Sequence, residues 1–111
     1  MIHLLTSRVT AKQLAEMLEE LEDYVKLAVD IEREIAAGGG ELHADCEAVL
    51  LANSSQQENI WGADWDPLIR EVRYESFINI RPGQNNPAMA ILDPAIRSRV
   101  EQIVKDLFEG V

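Results

Sequence analysis

The sequence predicts an α+β fold: an antiparallel-rich sheet of about five strands with two helices packed on one of its faces, in the order β-α-β-β-β-β-α. Three observations carry that expectation. Apolar and polar residues alternate over 25–31, 42–50 and 72–80, the period of a half-buried strand. Apolar residues recur at helical spacing over 14–21 and 96–108, and Gly, Pro, Asn and Ser gather between these segments. Residues 1–111 are expected to form one domain, because 47% hydrophobic and 27% charged content suits one compact core and the length is short for two.

Taken in order, Ile2–Leu5 is an apolar run read as the first strand. The first helix is expected over 10–22, where Thr10 caps it, Gln13 completes a T-x-x-Q capping box, and Leu14, Met17, Leu18 and Leu21 form one stripe. Residues 24–35 fit two periods. Val25, Leu27, Val29 and Ile31 alternate as in a strand, while Leu21, Val25, Ala28, Ile31 and Ile35 also suit a continuing helix. Strand is preferred, because valines favour a pleated surface and Glu20, Glu22 and Asp23 oppose the dipole at the end of the first helix. Ala36–Gly40 then turns the chain.

Glu41–Leu51 alternates again and is read as a strand, with Leu42, Ala44, Cys46, Ala48 and Leu50 on one face and His43, Asp45, Glu47, Val49 and Leu51 on the other. Asn53, Ser54 and Ser55 turn it into a return strand at 57–61, and 61–67 is read as a loop. Glu71–Arg81 has the strongest strand pattern, with Val72, Tyr74, Ser76, Ile78 and Ile80 on one side, and Pro82-Gly83 ends it. Ala88–Leu92 is read as an edge strand. Asp93 caps the last helix and Pro94 opens it; Ile96, Val100, Ile103, Val104, Leu107 and Phe108 then repeat at helical spacing.

Charge and hydropathy narrow the function classes. Twenty acidic against ten basic side chains give a formal charge of -10, which repels a phosphate backbone, so no nucleic-acid partner is expected. No stretch approaches the roughly 18 uninterrupted apolar residues of a membrane span, and MIHLLTSRVT lacks the basic flank and apolar length of a signal peptide. A soluble, cytoplasmic protein with no membrane partner is expected. The single cysteine excludes an intrachain disulfide.

The candidate site is polar. On the expected strands, Asp30 and Glu32 share the solvated face with His43, Asp45 and Glu47, and cross-strand neighbours lie roughly 5 Å apart. Glu32, His43, Asp45 and Glu47 are then candidate ligands of a divalent metal. Imidazole with carboxylates suits zinc, manganese or iron, and carboxylates with water suit magnesium or calcium. A sheet with one solvated face shows the same alternation, with Arg33, Arg73 and Arg81 neutralising the acids. Carboxylates facing one another across strands destabilise a sheet, so the cluster needs one counter-charge or the other.

His43 and Cys46 would point to opposite faces of a strand, which disfavours a nucleophile and base dyad and leaves Cys46 a buried core residue. His3, alone in an apolar run, is read as a packed or edge residue. Arg81–Pro87 is a polar connection whose Arg81 is a candidate for steadying an anion. Gly38-Gly39-Gly40 lacks the Lys and the following helix of a phosphate cradle. Val49, Leu51 and Phe77 lie on the nominally solvated face, and Trp61 and Trp65 in the adjoining loop extend them into an apolar patch. A second helix layer is not expected, so that patch falls to the Trp loop folding back or to a second copy of the chain.

The runs Val29-Asp30-Ile31-Glu32-Arg33, Ala37-Gly38-Gly39-Gly40-Glu41-Leu42-His43-Ala44-Asp45-Cys46-Glu47, Ile60-Trp61-Gly62-Ala63 and Ile78-Asn79-Ile80-Arg81-Pro82 carry a resemblance. Over nearly its whole length the chain resembles a family of small prokaryotic proteins, frequent in cyanobacteria and present in archaea, that is defined as a domain of unknown function. The chain departs from it at Asn53-Ser54-Ser55, where an Asp-Gly-Ser turn is associated with the family. The resemblance implies no activity, cofactor or catalytic residue. Two function classes therefore stand: an interaction or regulatory module that self-associates as a homodimer and meets a protein partner, and a metal-dependent, hydrolase-like enzyme built on the Asp30, Glu32, His43, Asp45 and Glu47 cluster.

Overall fold

The computed structural model describes residues 1–111. The elements are β1 (His3–Leu5), α1 (Ala11–Met17), β2 (Val25–Asp30), β3 (Ile35–Gly38), α2 (His43–Ala52), β4 (Ile60–Asp66), β5 (Glu71–Arg73) and α3 (Pro94–Leu107). The five strands form one sheet in the order β1-β3-β2-β4-β5, every pair antiparallel. This is the α+β class that the sequence predicts. No helix is long and apolar enough to cross a membrane.

Pleat parity sets the layers. Val25, Leu27 and Val29 of β2 stand opposite Trp65, Ala63 and Trp61 of β4. All six join one apolar cluster with Met17 of α1 and with Val100, Ile103, Val104, Leu107 and Phe108 of α3. On the other face Ala28, Ile35, Ala37 and Ile60 pack with Cys46 and Leu50 of α2. The two helices expected on one face are α1 and α3. The helix α2 adds a third layer, which overturns the expectation that the second face is solvated.

The reason lies in an ambiguity of period. Cys46 and Leu50 are four residues apart, so a helix buries both against the sheet, and Ala44, Ala48 and Ala52 favour helix over strand. The alternation of 42–50 fits either element, and burial against β2 and β3 decides. The capping box of α1 forms as expected, with the Gln13 amide donating to Thr10 Oγ1 at 3.1 Å and the Thr10 amide to Gln13 Oε1 at 3.0 Å. However, α1 ends at Met17 rather than 22.

The chain turns between β2 and β3 at 31–34, ahead of the glycines. The Asp30 carboxylate builds that turn by accepting from the amides of Glu32 at 2.9 Å and Arg33 at 3.0 Å. The glycines instead thread the chain between α1 and α2. A Cβ on Gly39, whose φ is +102°, would lie 2.9 Å from the Met17 Cα, and one on Gly40 would lie 3.2 Å from the Cys46 Sγ.

Four further expectations are corrected. Of the loop expected over 61–67 all but Pro67 is strand: Ile60–Asp66 form β4, a strand buried on both faces, preceded by a 3-10 turn at Gln57–Asn59 where the return strand was expected. The strand expected over 71–81 stops at Arg73, and a 3-10 turn at Phe77–Asn79 follows. Ala88–Leu92 contributes only one bridge, Ala90 to Glu75. The last helix is as expected, with the Ala95 amide donating to Asp93 Oδ1 at 2.8 Å.

Candidate functional site

The first turn of α2 lies over the end of the sheet where a polar row crosses three strands. Asp64 of β4 is paired with Lys26 of β2 on one side and Arg73 of β5 on the other. His43 reaches down onto it, with Nε2 2.8 Å from Asp64 Oδ1 and 3.2 Å from the Ala63 carbonyl. Both neighbours are acceptors, so Nε2 carries a proton and donates to them. Arg73 supplies counter-charge, with Nε 3.7 Å from Asp64 Oδ2 and Nη1 3.3 Å from Asp66 Oδ2.

A cavity of about 180 Å³ opens beside this pair, walled by Lys26, Leu42, His43, Ala44, Ser76, Phe77 and Ile78. Its walls are mostly apolar. Lys26 Nζ donates to the Glu41 carbonyl at 3.0 Å, and the Ser76 hydroxyl accepts from the Ile78 amide at 3.2 Å. Leu42 stands at the cap of α2 with no side chain to accept the first amides. Chemically, the site offers an apolar hollow with one aspartate-oriented histidine at its edge. The other hollow, about 270 Å³ along Tyr74, Leu92, Pro94, Arg97, Ser98 and Glu101, has its tyrosine and carboxylate already engaged with one another. There the Tyr74 hydroxyl donates to Glu101 at 2.6 Å and the Arg97 guanidinium lies 4.6 Å from the Tyr74 ring centroid.

The polar cluster expected from the sequence does not assemble. Asp30 is fully buried at the β2–β3 turn with one oxygen unpartnered, and Glu32 is exposed in that turn. Asp45 is exposed on α2, roughly 200° around the helix from His43 at about 100° per residue. Glu47 turns toward Arg81, 3.4 Å from Nη2. No group of three or more His, Cys, Asp or Glu side chains is placed to hold a metal ion, and Glu32, His43, Asp45 and Glu47 do not come together. The basis of that grouping was strand parity, and a helix scatters those positions.

Arg81 is committed within the fold rather than open to a bound anion, because its donors serve the backbone and the Glu47 carboxylate. Nε donates to the Ile78 carbonyl at 2.9 Å, Nη1 to that of Gln57 at 2.7 Å, and Nη2 to that of Ile60, while the guanidinium stacks 4.8 Å from the Trp61 ring centroid. Trp61 and Trp65 are each 1% exposed under α1 and α3 and take no part in a surface patch. Of the other expected interface residues, Val49 is half-buried, while Leu51 and Phe77 are exposed. His3 sits on the edge strand, 3.2 Å from Glu16 Oε1. Sequence reasoning missed Lys26, Asp64 and Ser76. The signal for Asp64 was the alternation of Trp61, Ala63 and Trp65, which turns it to the opposite face.

The argument that separated His43 from Cys46 also falls, since three residues along a helix leaves them on neighbouring positions. Burial replaces it. Cys46 is fully enclosed, its Sγ lies 3.5 Å from the Lys26 carbonyl, and burial pushes the thiol up from 9.0 to about 11. Alkylation of the native protein at neutral pH is expected to proceed only at the rate of unfolding; rapid labelling would contradict that burial. Because the folded thiol holds its proton more tightly than the unfolded one, this group's stabilisation is complete below pH 9 and is lost as pH rises toward 11.

No curated protein and no solved structure matches the chain. A family model does match, over residues 3–107, and by that match the chain belongs to the family described as protein of unknown function DUF5674.

Proposed function

We propose that the protein is a small cytoplasmic interaction module that self-associates through the face formed by the start of α2 and the Phe77–Asn79 turn. The observation that carries the reading is Phe77, whose side chain is 77% exposed while Ser76 and Asn79 on either side of it are buried. The rigid flanks present the ring to water rather than letting it fold inward, and hiding a phenylalanine is worth roughly 1.5–3 kcal/mol. Leu42 and Ile80 are also exposed, at 54% and 43%.

Charge supports a chosen contact rather than general stickiness. Two copies at -10 each repel one another, and the cations are spread and paired: Arg8 with Glu109, Arg99 with Glu34, Lys105 with Glu101. Screening should therefore strengthen the association. Light scattering at micromolar concentration is expected to give twice the 12.5 kDa chain mass, with the dimer fraction rising as salt increases. A monomer mass at every concentration and salt level would remove the proposal.

A further inference from the structure

Resting on that reading of self-association, we infer that the cavity at the start of α2 is the socket for Phe77 of a second copy of this chain. The phenyl ring and the hollow belong to one patch, since Phe77 itself forms part of the cavity wall. A twofold contact pairs a patch with itself, so a patch carrying both a protruding ring and a hollow can fill both hollows at once. The sizes agree. An apolar cavity of about 150 Å³ accepts a benzene ring, and this one measures about 180 Å³ between Leu42, Ala44 and Ile78.

Electrostatics favour the same occupant. Lys26 lines the hollow and Glu41, whose carbonyl accepts from it at 3.0 Å, is exposed beside it, so two copies meeting face to face offer cation for carboxylate in both directions. The two rings also meet near the twofold axis, where aromatic side chains attract beyond their burial. Each copy thereby completes the other's site.

The test uses two variants at exposed positions that leave the core untouched: Phe77→Ala removes the ring and Ala44→Leu fills the hollow. Sedimentation at a series of concentrations, with circular dichroism to confirm the fold, reads the result. Loss of one central anchor weakens binding roughly 30-fold, so loss of the symmetric pair should weaken the dimer roughly 1000-fold. An equimolar mixture of the two variants is expected to dimerise more strongly than either alone, because Phe77 of the Ala44→Leu copy still enters the open hollow of the Phe77→Ala copy. A dimeric wild type whose variants both remain dimeric, or whose mixture shows no recovery, overturns the socket while leaving self-association standing. A monomeric wild type overturns both.

Discussion

Asn79→Ala is expected to lower the stability of the fold by about 3–5 kcal/mol. The size follows from an incomplete sheet edge. On its outer side β4 is paired by β5 only at Asp64–Asp66, which leaves Gly62 facing a 3-10 turn instead of a strand. The Asn79 amide takes the place of the missing peptide group: Oδ1 accepts from the Gly62 amide at 2.8 Å and Nδ2 donates to the Gly62 carbonyl at 3.0 Å. Nδ2 also donates to the carbonyls of Tyr74 at 3.2 Å and Met89 at 3.1 Å. Those two keep backbone partners in Ile91 and Ser76, so the cost concentrates on the buried Gly62 pair, at about 1–3 kcal/mol for each orphaned group. Asn79→Asp should be no better, because it retains the acceptor but turns a carboxylate toward three carbonyls. Urea denaturation of both variants provides the check, and a loss below about 1 kcal/mol in either would show that water or a backbone shift replaces the amide.

The same edge explains much of what the sequence concealed. Elements governed by local chemistry were legible: the Thr10–Gln13 box starts α1, Asp93 and Pro94 start α3, and the valines of β2 decide between its two periods. Elements governed by contacts distant in sequence were not. Residues 71–81 alternate throughout, yet pairing ends at Arg73 because Asn79 must turn inward to Gly62. Gly62, followed by Ala63 and Asp64 between two tryptophans, resembles a loop, but a Cβ there would lie 2.5 Å from that of Ser76, so glycine marks a close packing inside a strand. At the candidate site the residue types were informative and their grouping was not. His43 and Glu47 do take charged partners, Asp64 and Arg81, but each pair spans a helix and a distant segment, and strand parity in 41–51 cannot reveal either. The exposed Phe77 was legible as a surface residue. The hollow beside it was not, because α2 forms one of its walls.

Arg81→Lys is expected to cost nearly as much as Arg81→Met, about 2–4 kcal/mol in each case, although it preserves the charge. The guanidinium fork spans three chain segments at once: the carbonyls of Gln57 and Ile60 ahead of and within β4, that of Ile78 in the 3-10 turn, and the Glu47 carboxylate on α2. An ammonium has three donors on a flexible stem and cannot reach all of these while lying flat on Trp61. The Arg81 and Glu47 side chains are only 10% and 12% exposed, so truncation also strands a carboxylate with little water to solvate it. Burial draws Arg81 below the ordinary arginine range, and the Glu47 carboxylate acts in the opposite sense by favouring the cation. If the stranded carboxylate is a large part of the cost, Glu47→Gln should recover about 1–2 kcal/mol when added to Arg81→Met, and much less when added to wild type. A double-mutant cycle read by urea denaturation measures that coupling. An Arg81→Lys protein within about 0.5 kcal/mol of wild type would mean that the fork's geometry is dispensable and that its charge alone secures the β4 edge.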